Sequence, residues 1–492
     1  MQIIKKLNHE HKVFLIFLLV HLIVWSTIGL IRTVLPTDAL EGIYWGALHD
    51  FGTPKHPPLA GWITYWVYSI FKSDFSIYFL SQAFILCGFV YIYKLGKIFL
   101  DENRAMLSVI ILEGCWVYSY ITGYYGYNPD VILLCLLPMI TYYFYKCVTD
   151  NKKSDWIMLG ILVGTSFLNK YQTVLILIPM FIWAIAFKRD VFKNAMFYLA
   201  VLIAFFIFFP HLLWMIDYDF FPLLYFEGEF SNNTLIRHIT APFIFFIMQI
   251  AAVAGSLVIY ALLKWKQKSP FALDLGTDKP KKWLLILFGF MPLIIHLAMG
   301  LCEGGTMRPR WGFEFLFLTG IMLFYFFPTK EISKSEFDYV TKLAYTAMLI
   351  IFIALGTLLS VEKNYRSRYP VSTIYNDLNK AWAEKFNTPL KYFGGYIEWT
   401  LPLTIYTDAH PQIILDTNGY KNPWIDEEDL KQSGIIVIDR TLPKLEKQLK
   451  ISCPYLDENY KMEPIEYKFT VKNAFNMPRE YTVYYLIIPP MK

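Results

Sequence analysis

The sequence predicts a mostly helical integral membrane protein with about eleven transmembrane helices and a small α/β domain at its C-terminal end. Of the 492 residues, 56% are hydrophobic, 18% are aromatic and only 17% are charged, and the mean hydropathy is +0.39. A soluble chain of this length would have about a quarter of its residues charged. The net charge of +5 is too small and too scattered for a nucleic-acid-binding surface.

Eleven apolar runs are candidates for crossing a bilayer, which takes roughly 20 residues per helix. The first run is too long for a cleaved signal peptide and no small-residue cleavage site follows it, which indicates a retained signal anchor. The runs at 156–168 and 172–187 are short, so they are expected to tilt or to cross only in part. The eleven runs are 13–31, 75–93, 105–122, 129–147, 156–168, 172–187, 195–216, 241–263, 283–301, 312–327 and 341–361.

The loop charges predict the orientation. Most loop Lys and Arg residues fall on the side that holds the N-terminus, which is therefore expected to be cytoplasmic. Eleven crossings then place the segment after residue 361 outside. Seven basic residues oppose this bias, and an anionic ligand held at the outer membrane face would be a physical reason for them. They are Arg32, Lys55, Lys72, Lys170, Arg237, Arg308 and Arg310.

Two domains are predicted. Residues 1–361 form a multi-span transmembrane domain with outer-face loops at 32–74, 217–240 and 302–311, and residues 362–492 form a soluble α/β domain. In the second domain a helix is expected to begin after Asp426, with acidic residues at its positive end. The strand-like runs there are Leu390–Tyr392, Leu403–Tyr406, Ile435–Ile438 and Tyr481–Ile488.

The first outer loop contains two carboxylates, Asp38 and Glu41, which lie three residues apart and would share one face of a helix. One of them could act as a general base toward an acceptor hydroxyl while the other positions a substrate. The same spacing also fits a helix start, with Asp38 as the N-cap of a capping box. Spacing alone favours the helix start.

Three further positions have both a functional and a structural interpretation. Lys55 and His56 precede two prolines, a stiff turn that suits a phosphate but also an ordinary solvated turn. Asp130 borders hydrocarbon, which is costly and points to function, although Asn128-Pro129-Asp130 would also simply begin a helix. Lys170 lies between two apolar runs and could bind a lipid-linked phosphate or extend to the interface.

The remaining candidates lie at the ends of outer loops. Arg237, Arg308 and Arg310 have guanidinium groups that suit phosphate oxygens, but positions beside Trp311 also suit interfacial anchoring. Aromatic side chains in these loops, Tyr44 and Tyr127 among them, could contact a sugar, although an aromatic belt explains most of them.

In their order and topology these residues resemble the C-type glycosyltransferases that use polyprenyl-phosphate sugars. The likeness is strongest to the bacterial lipid A 4-amino-4-deoxy-L-arabinose transferases, with the protein O-mannosyltransferases more distant, and it covers nearly the whole chain. It rests on the acidic pair of the first outer loop, the segment from Lys55 to Leu59, Asp130, Lys170 and the C-terminal domain.

The resemblance implies a C-type glycosyltransferase fold in which Asp38 is the principal catalytic or acceptor-positioning carboxylate and Asp130 is the second acidic residue of the cavity. With Glu41, the partner of Asp38 in the acidic motif, they are the candidate catalytic carboxylates. It also implies that Lys55, His56, Lys170 and Arg237 bind the phosphate of the donor. His56 stands where the arabinose transferases have the lysine of a Lys-Pro-Pro motif, and Lys55 precedes it, so the choice between these two side chains stays open.

The implied reaction transfers one sugar, which could be an amino sugar, from undecaprenyl phosphate to lipid A, with inversion. A protein or another surface glycan is the alternative acceptor. The implied location is the bacterial inner membrane, surrounded by membrane lipid, with the C-terminal domain in the periplasm. No nucleotide-binding loop is evident and no nucleic acid is expected. No cofactor is identified; a divalent metal could bind but is not indicated by the sequence.

A transporter or flippase for a polyprenyl-linked lipid is the alternative from another class. It predicts ionisable residues near the middle of spans and inverted repeats. The charged residues instead lie almost wholly at span ends, apart from Glu113 and Glu314, and no repeat is evident.

Overall fold

The computed structural model describes residues 8–228, 234–415, 422, 424–457 and 460–491. Two features of the sequence lie wholly or partly outside these ranges. The basic residues Lys5 and Lys6 precede it, and the predicted outer loop 217–240 is described only up to residue 228 and from residue 234.

The regular elements described in the first 361 residues are helices, joined by loops and short 3₁₀ turns. In chain order the helices are α1 (His9–Thr27), α2 (Thr37–Ala47), α3 (Leu59–Phe71), α4 (Asp74–Phe99), α5 (Glu102–Ile110), α6 (Val117–Tyr125), α7 (Pro129–Asp150), α8 (Lys153–Phe167), α9 (Val174–Phe187), α10 (Ala195–Asp217), α11 (Phe221–Gly228), α12 (Arg237–Lys266), α13 (Lys279–Glu303), α14 (Arg310–Phe313), α15 (Thr319–Phe326) and α16 (Lys334–Val361).

The rest of the chain alternates helices and strands. The elements are α17 (Tyr365–Arg368), α18 (Val371–Ala383), β1 (Tyr392–Gly395), α19 (Ile397–Ile405), β2 (Gln412–Leu415), α20 (Glu427–Ser433), β3 (Ile435–Asp439), α21 (Leu442–Ser452), β4 (Ile465–Lys472) and β5 (Pro478–Ile488).

The described residues pack as two compact units. The helical unit comprises the described parts of Met1–Gly29, Phe51–Ala60 and Phe75–Leu355, and the sheet unit comprises those of Leu30–Asp50, Gly61–Asp74 and Gly356–Lys492. The sheet unit is discontinuous in sequence, because α2 and most of α3 pack with the C-terminal residues. Part of the predicted first outer loop therefore belongs to the same unit as the C-terminal sheet.

Seven helices among the described residues are long and apolar enough to cross a membrane, or eight if the bent pair Glu102–Gly114 and Val117–Tyr125 is one span. The mostly helical membrane fold is confirmed, whereas the predicted count of about eleven spans is not. The apolar runs 156–168 and 172–187 form shorter helices, and the run 312–327 is divided among α14, a 3₁₀ turn at Glu314–Leu318 and α15.

The small C-terminal sheet has the strand order β2-β1-β3-β5-β4. β1 pairs in parallel with β2 and β3, while β5 pairs antiparallel with both β3 and β4. Ile435, Val437 and Leu486 lie in the apolar core against which α21 packs. This is the α/β arrangement that the sequence predicts.

The local predictions in this region have mixed outcomes. Asp426 caps α20, since its carboxylate accepts from the backbone N–H groups of Glu428 (3.0 Å) and Asp429 (3.2 Å). The predicted strands at Ile435–Ile438 and Tyr481–Ile488 are confirmed. The prediction of a strand at Leu403–Tyr406 is wrong, because most of this run continues α19, and a short apolar run does not distinguish a buried helix from a strand.

Small residues bring α8 and α10 into close contact. A Cβ atom at Gly160 would lie 2.6 Å from the carbonyl oxygen of Ala200, and one at Gly164 would lie 2.9 Å from the Cα atom of Ala204. Glycine and alanine at helical spacing let two backbones approach in this way. The contact fixes the C-terminal end of α8, from which the chain enters the loop that contains Lys170.

We predict that Gly164→Val separates α8 from α10 and destabilises the protein by about 1–3 kcal/mol, the usual cost of overpacking. Thermal unfolding of the purified protein in detergent measures the effect. Ile161→Val, on the exposed face of the same helix, is the control and should unfold as the wild type does. Equal melting temperatures for the wild type and Gly164→Val would contradict the close contact.

Candidate functional site

The loop between α8 and α9 carries Lys170 into the interior of the helical unit. Two neighbours hold this loop in place: the Nδ2 atom of Asn169 donates to the carbonyl oxygen of Pro129 (2.9 Å), and the hydroxyls of Ser166 and Thr173 share a hydrogen bond (2.7 Å). Pro129 is the first residue of α7, whose N-cap is Asn128. The loop is therefore bound to the start of α7, where Asp130 lies.

Lys170, Asp130 and Glu314 form a buried ionic cluster. The ammonium group of Lys170 donates to an oxygen of Asp130 and to Oε1 of Glu314, at 2.8 Å in the second case. Lys170 is 7% exposed, Asp130 is 4% exposed and Glu314 is fully buried. Lys170 does not extend to an interface, because its charge is bound to two carboxylates inside the protein.

The cluster has a fourth member, Arg310, whose Nε atom lies 3.7 Å from Oδ2 of Asp130. Its guanidinium also lies over the ring of Tyr125, 5.1 Å from the centroid. Two carboxylates and two cations thus meet at the start of α7, the loop after α8 and the segment 310–314. Because buried charges are costly unless paired, each member depends on the others.

The charge state of Lys170 follows from its surroundings. Burial lowers the pKa of this lysine, but the opposing charges of Asp130 and Glu314 raise it above its ordinary value. The side chain is therefore an ammonium ion at neutral pH, held by electrostatic attraction where desolvation alone would favour the neutral amine.

Amide side chains hold the segment that carries Arg310 and Glu314. Gln249 of α12 donates to the carbonyl oxygen of Pro309 (2.8 Å), and Gln172 donates to that of Trp311 (3.3 Å). Gln172 also lies 3.3 Å from Nε2 of His296 on α13. Side chains of the protein thus provide hydrogen-bond partners for the backbone carbonyl groups of this short irregular segment. This is expected where non-helical backbone lies among membrane helices.

The turn that contains Lys55 and His56 is bound to the loop of Lys170. Within the turn, Thr53 donates its hydroxyl to the carbonyl oxygen of His56 (2.8 Å) and accepts from the N–H of the same residue (2.9 Å). At its end, the N–H of Leu59 donates to the carbonyl oxygen of Leu168 (3.1 Å). The turn and the cluster thus share one framework, and the side chains of Lys55 and His56 are half-buried.

A second connection joins the same two segments through His211 of α10. Nδ1–H of His211 donates to the carbonyl oxygen of Phe51 (2.6 Å), and the hydroxyl of Tyr171 lies 2.7 Å from Nε2 of the same ring. Because a carbonyl oxygen only accepts, Nδ1 carries the proton. His211 therefore links the residue after Lys170 to the start of the Lys55 turn.

An apolar groove of about 600 Å³ begins next to the cluster. It runs between α12, α13 and the segment from α14 to α15. Gln249, Gly312 and Phe315 line the end near Glu314, and Leu273 and Phe326 line the far end. The lining side chains are almost all apolar, which suits the apolar chain of a ligand.

The other predicted carboxylates lie in the sheet unit, on α2. Asp38 is half-buried in the first turn and Glu41 is buried. The N-cap of α2 is Pro36 and no side chain caps the helix, so the interpretation of Asp38 as the N-cap of a capping box is wrong. By contrast, Asn128 does cap α7, accepting from the N–H groups of Asp130 (2.9 Å) and Val131 (3.3 Å).

Tyr44 of α2 is almost fully buried. Its hydroxyl donates to the carbonyl oxygen of Ile413 (3.2 Å) and accepts from the N–H of the same residue (3.3 Å). Burial raises the pKa of Tyr44 above the ordinary value of tyrosine, although the bond to Ile413 opposes this shift. The hydroxyl is protonated and bound to backbone, and binding of substrate by Tyr44 stays a prediction.

Three other predicted residues belong to the helical unit but lie in different parts of it. Arg237 begins α12, twelve residues before Gln249, which is roughly 18 Å along the helix axis. Arg308 is half-buried in the segment after α13. The hydroxyl of Tyr127 is buried and has no hydrogen-bond partner among the described residues. Their roles stay predictions.

The structure adds Glu314, His211 and Tyr171 to the residues that sequence reasoning selected. Glu314 was visible as a carboxylate within an apolar run, a signal that by itself predicts function. His211 and Tyr171 had no such signal, because a single histidine or tyrosine in an apolar helix is ordinary. Within the described ranges, no three His, Cys, Asp or Glu side chains are placed to hold a metal ion.

Comparison with known proteins agrees with this fold. A family model described as "Dolichyl-phosphate-mannose-protein mannosyltransferase" matches residues 55–214, the part that holds the Lys55 turn, Asp130, Lys170 and His211. No curated protein matches the chain in sequence.

Two solved structures of ArnT from Cupriavidus metallidurans resemble the chain over nearly its whole length. With undecaprenyl phosphate bound, ArnT gives a TM-score of 0.62 at 12% identity, covering 96% of this chain and 97% of that one. The apo state gives 0.61 at the same identity and coverage. The Archaeoglobus fulgidus oligosaccharyltransferase gives 0.47 at 10% identity, covering 92% and 73%. On the ArnT match, the resemblance to the C-type glycosyltransferases is confirmed at the level of the fold.

The cluster makes a prediction about stability. Lys170→Met leaves the buried Glu314 carboxylate without its cation and should destabilise the protein by roughly 3–5 kcal/mol. The double variant Lys170→Met/Glu314→Gln should be more stable than Lys170→Met, because a neutral amide replaces the unpaired charge. Melting temperatures in detergent measure both.

Lys193→Met is the control for this cycle. Lys193 also pairs with an acidic residue, Asp190 at 3.1 Å, but both side chains are exposed, so its loss should leave the melting temperature unchanged. A double variant that melts no higher than Lys170→Met would show that Glu314 is not held by Lys170.

Proposed function

We propose that the protein is an integral membrane glycosyltransferase that moves a single sugar from undecaprenyl phosphate to an envelope acceptor, with lipid A as the leading acceptor. The observation that carries the proposal is the buried cluster of Lys170, Asp130, Glu314 and Arg310, whose sequence neighbours Gly312 and Phe315 line an apolar groove. The ArnT-like fold and the mannosyltransferase family match support the class. The reaction takes place on the periplasmic side of a bacterial inner membrane. The loop charges favour this orientation, with the N-terminus in the cytoplasm.

The donor is held by its two chemically different ends. The polyprenyl chain lies in the apolar groove between α12 and α13, and the phosphate lies near the cations of the helical unit. Arg310 offers a planar fork of donors that suits phosphate oxygens. Lys55 supplies a further positive charge, and His56 a further hydrogen-bond donor, from a turn bound to the same framework. Lys170 contributes a fixed charge and holds Asp130 in place.

The transfer breaks the bond between the anomeric carbon and the phosphate oxygen. The electron pair of that bond goes to the phosphate, whose growing negative charge is stabilised by the nearby cations. An acceptor oxygen forms the new bond from the opposite side, so the anomeric centre inverts. If the acceptor is a hydroxyl, Asp38 takes its proton; if it is an anionic phosphate of lipid A, Asp38 positions it instead.

The transferred sugar is an amino sugar in this proposal. Asp38 and Glu41 of α2 are the candidate carboxylates for its ammonium group, since charge-assisted hydrogen bonds of this kind are strong. This assignment depends on the resemblance to the arabinose transferases as well as on the charges.

The groove gives a test of donor binding. Val253 lines it, so Val253→Trp should fill part of it and lower the affinity for undecaprenyl phosphate by about tenfold or more, which is the loss of roughly two buried methylene contacts. Native mass spectrometry or thermophoresis of the detergent-purified protein measures the affinity.

Val258→Trp is the matched control, because it places the same side chain on the exposed face of the same helix. It should bind undecaprenyl phosphate as the wild type does. Wild-type affinity in Val253→Trp would mean that the polyprenyl chain binds elsewhere.

The reaction itself is tested by mass spectrometry of lipid A from cells with the intact gene, a deletion, and Asp38→Asn at matched expression. We expect a single-sugar mass increment that is absent from the deletion and from Asp38→Asn. Asp190→Asn, an exposed carboxylate, is the control and should keep the increment. A lipid A profile that does not change on deletion would remove lipid A as the acceptor, and the same comparison would then be made on surface glycans and glycoproteins.

A further inference from the structure

The edge strand of the C-terminal sheet has backbone groups that a helix of the first loop satisfies. Among the strands that the structure describes, β2 pairs with β1 alone. The N–H of Gln412 donates to the carbonyl oxygen of Lys391 (2.9 Å), so the backbone groups of the next residue, Ile413, point away from β1. An edge strand with unpaired groups is a liability that proteins usually cover.

Tyr44 of α2 covers this edge. Its hydroxyl bonds to both the N–H and the carbonyl oxygen of Ile413, at 3.3 Å and 3.2 Å, as a neighbouring strand would. The indole of Trp424 donates to the same carbonyl oxygen (3.1 Å), and its ring meets that of Tyr44 edge-on, with centroids 6.1 Å apart. One side of α2 is thus bound to the sheet by a residue 369 positions away in sequence.

The opposite side of α2 packs closely against α3. A Cβ atom at Gly42 would lie 2.8 Å from the hydroxyl oxygen of Thr64, and one at Gly46 would collide with the backbone of Gly61. Both contacts are with α3. The helix is therefore held between α3 and the edge of the sheet.

The chain that leads into α2 is bound to the C-terminal residues as well. The N–H of Thr33 donates to the carbonyl oxygen of Ser367 (2.9 Å), and the N–H of Leu35 donates to the hydroxyl of Tyr406 (2.8 Å). The Tyr406 hydroxyl in turn donates to Asp74 (2.9 Å). Both the entry to α2 and its middle are thus fixed by C-terminal residues.

We propose that the C-terminal domain acts as the support of the catalytic helix, with Tyr44 as a positioning residue that sets the place of Asp38 and Glu41 through Ile413. This inference rests on the proposed function, in which Asp38 meets the acceptor. In this proposal Tyr44 acts by fixing the helix from which Asp38 projects, through its hydrogen bonds to Ile413. A shift of about 1 Å in a catalytic group can lower the reaction rate by a factor on the order of a hundred. The hydrogen bonds between Tyr44 and Ile413, called the clamp below, can therefore have a large effect on the rate.

Tyr44→Phe tests the clamp because it removes one oxygen atom. Trp424 still donates to the carbonyl oxygen of Ile413, so the variant leaves one buried N–H without a partner. Tyr467→Phe is the matched control: it removes a hydroxyl that donates to Asp377 at 2.7 Å from β4, the strand at the opposite edge of the same sheet.

Three measurements are made on the full-length protein. Hydrogen exchange of the amides of residues 39–47 measures the protection of α2. The transfer rate is the rate at which the sugar increment appears on lipid A after induction, and donor affinity is measured by binding of undecaprenyl phosphate. We expect Tyr44→Phe to lower protection in α2 and the transfer rate by about tenfold each, with donor affinity within about twofold of the wild type. Tyr467→Phe should match the wild type in all three.

Three results would overturn the proposal: unchanged exchange in α2, an unchanged transfer rate, or a loss that appears in donor affinity and not in the rate. Asp38→Asn separates this inference from the proposed function. If Asp38→Asn is inactive and Tyr44→Phe is fully active, the proposed role of Tyr44 is wrong and the proposed glycosyltransferase function is retained. If Asp38→Asn transfers at the wild-type rate, Asp38 is not catalytic, and the proposed role of Tyr44 in positioning it falls as well.

Discussion

The attraction between one buried ammonium and two buried carboxylates organises the helical unit. Lys170 reaches Asp130 across 40 residues of sequence and Glu314 across 144, so three separate segments converge on one charge. None of these side chains could be buried alone, since an isolated charge in a low-dielectric interior costs several kcal/mol. The start of α7, the loop after α8 and the segment after α14 must therefore stay together.

The breaks in the helices lie where this cluster needs them. Lys170 is on a loop, Glu314 begins a 3₁₀ turn and Asp130 is in the first turn of α7. Irregular backbone among membrane helices is tolerated only where the protein itself satisfies its polar groups. Asn169, Gln172 and Gln249 do so here, which allows charged residues and non-helical backbone to occupy the same region.

The sheet unit shows that one domain can contain distant parts of the sequence. α2 and most of α3 come from the first loop, yet they pack with residues after 356. The proposed role of the C-terminal domain follows from this arrangement, because a helix bound to the edge of a sheet is more rigid than one held by a loop. Position along the chain would assign α2 to the transmembrane region, whereas packing assigns it to the sheet.

The sequence by itself determined the membrane class, the candidate charges and several local elements. Apolar length identifies spans, an N-cap such as Asp426 depends on adjacent residues, and a lysine within an apolar region is visible without a structure. Only the tertiary structure decided that Lys170 is bound to two carboxylates, that most of Leu403–Tyr406 is helical, and that Tyr44 binds the backbone of Ile413. These outcomes depend on contacts between residues far apart in sequence, which local pattern and hydropathy do not encode.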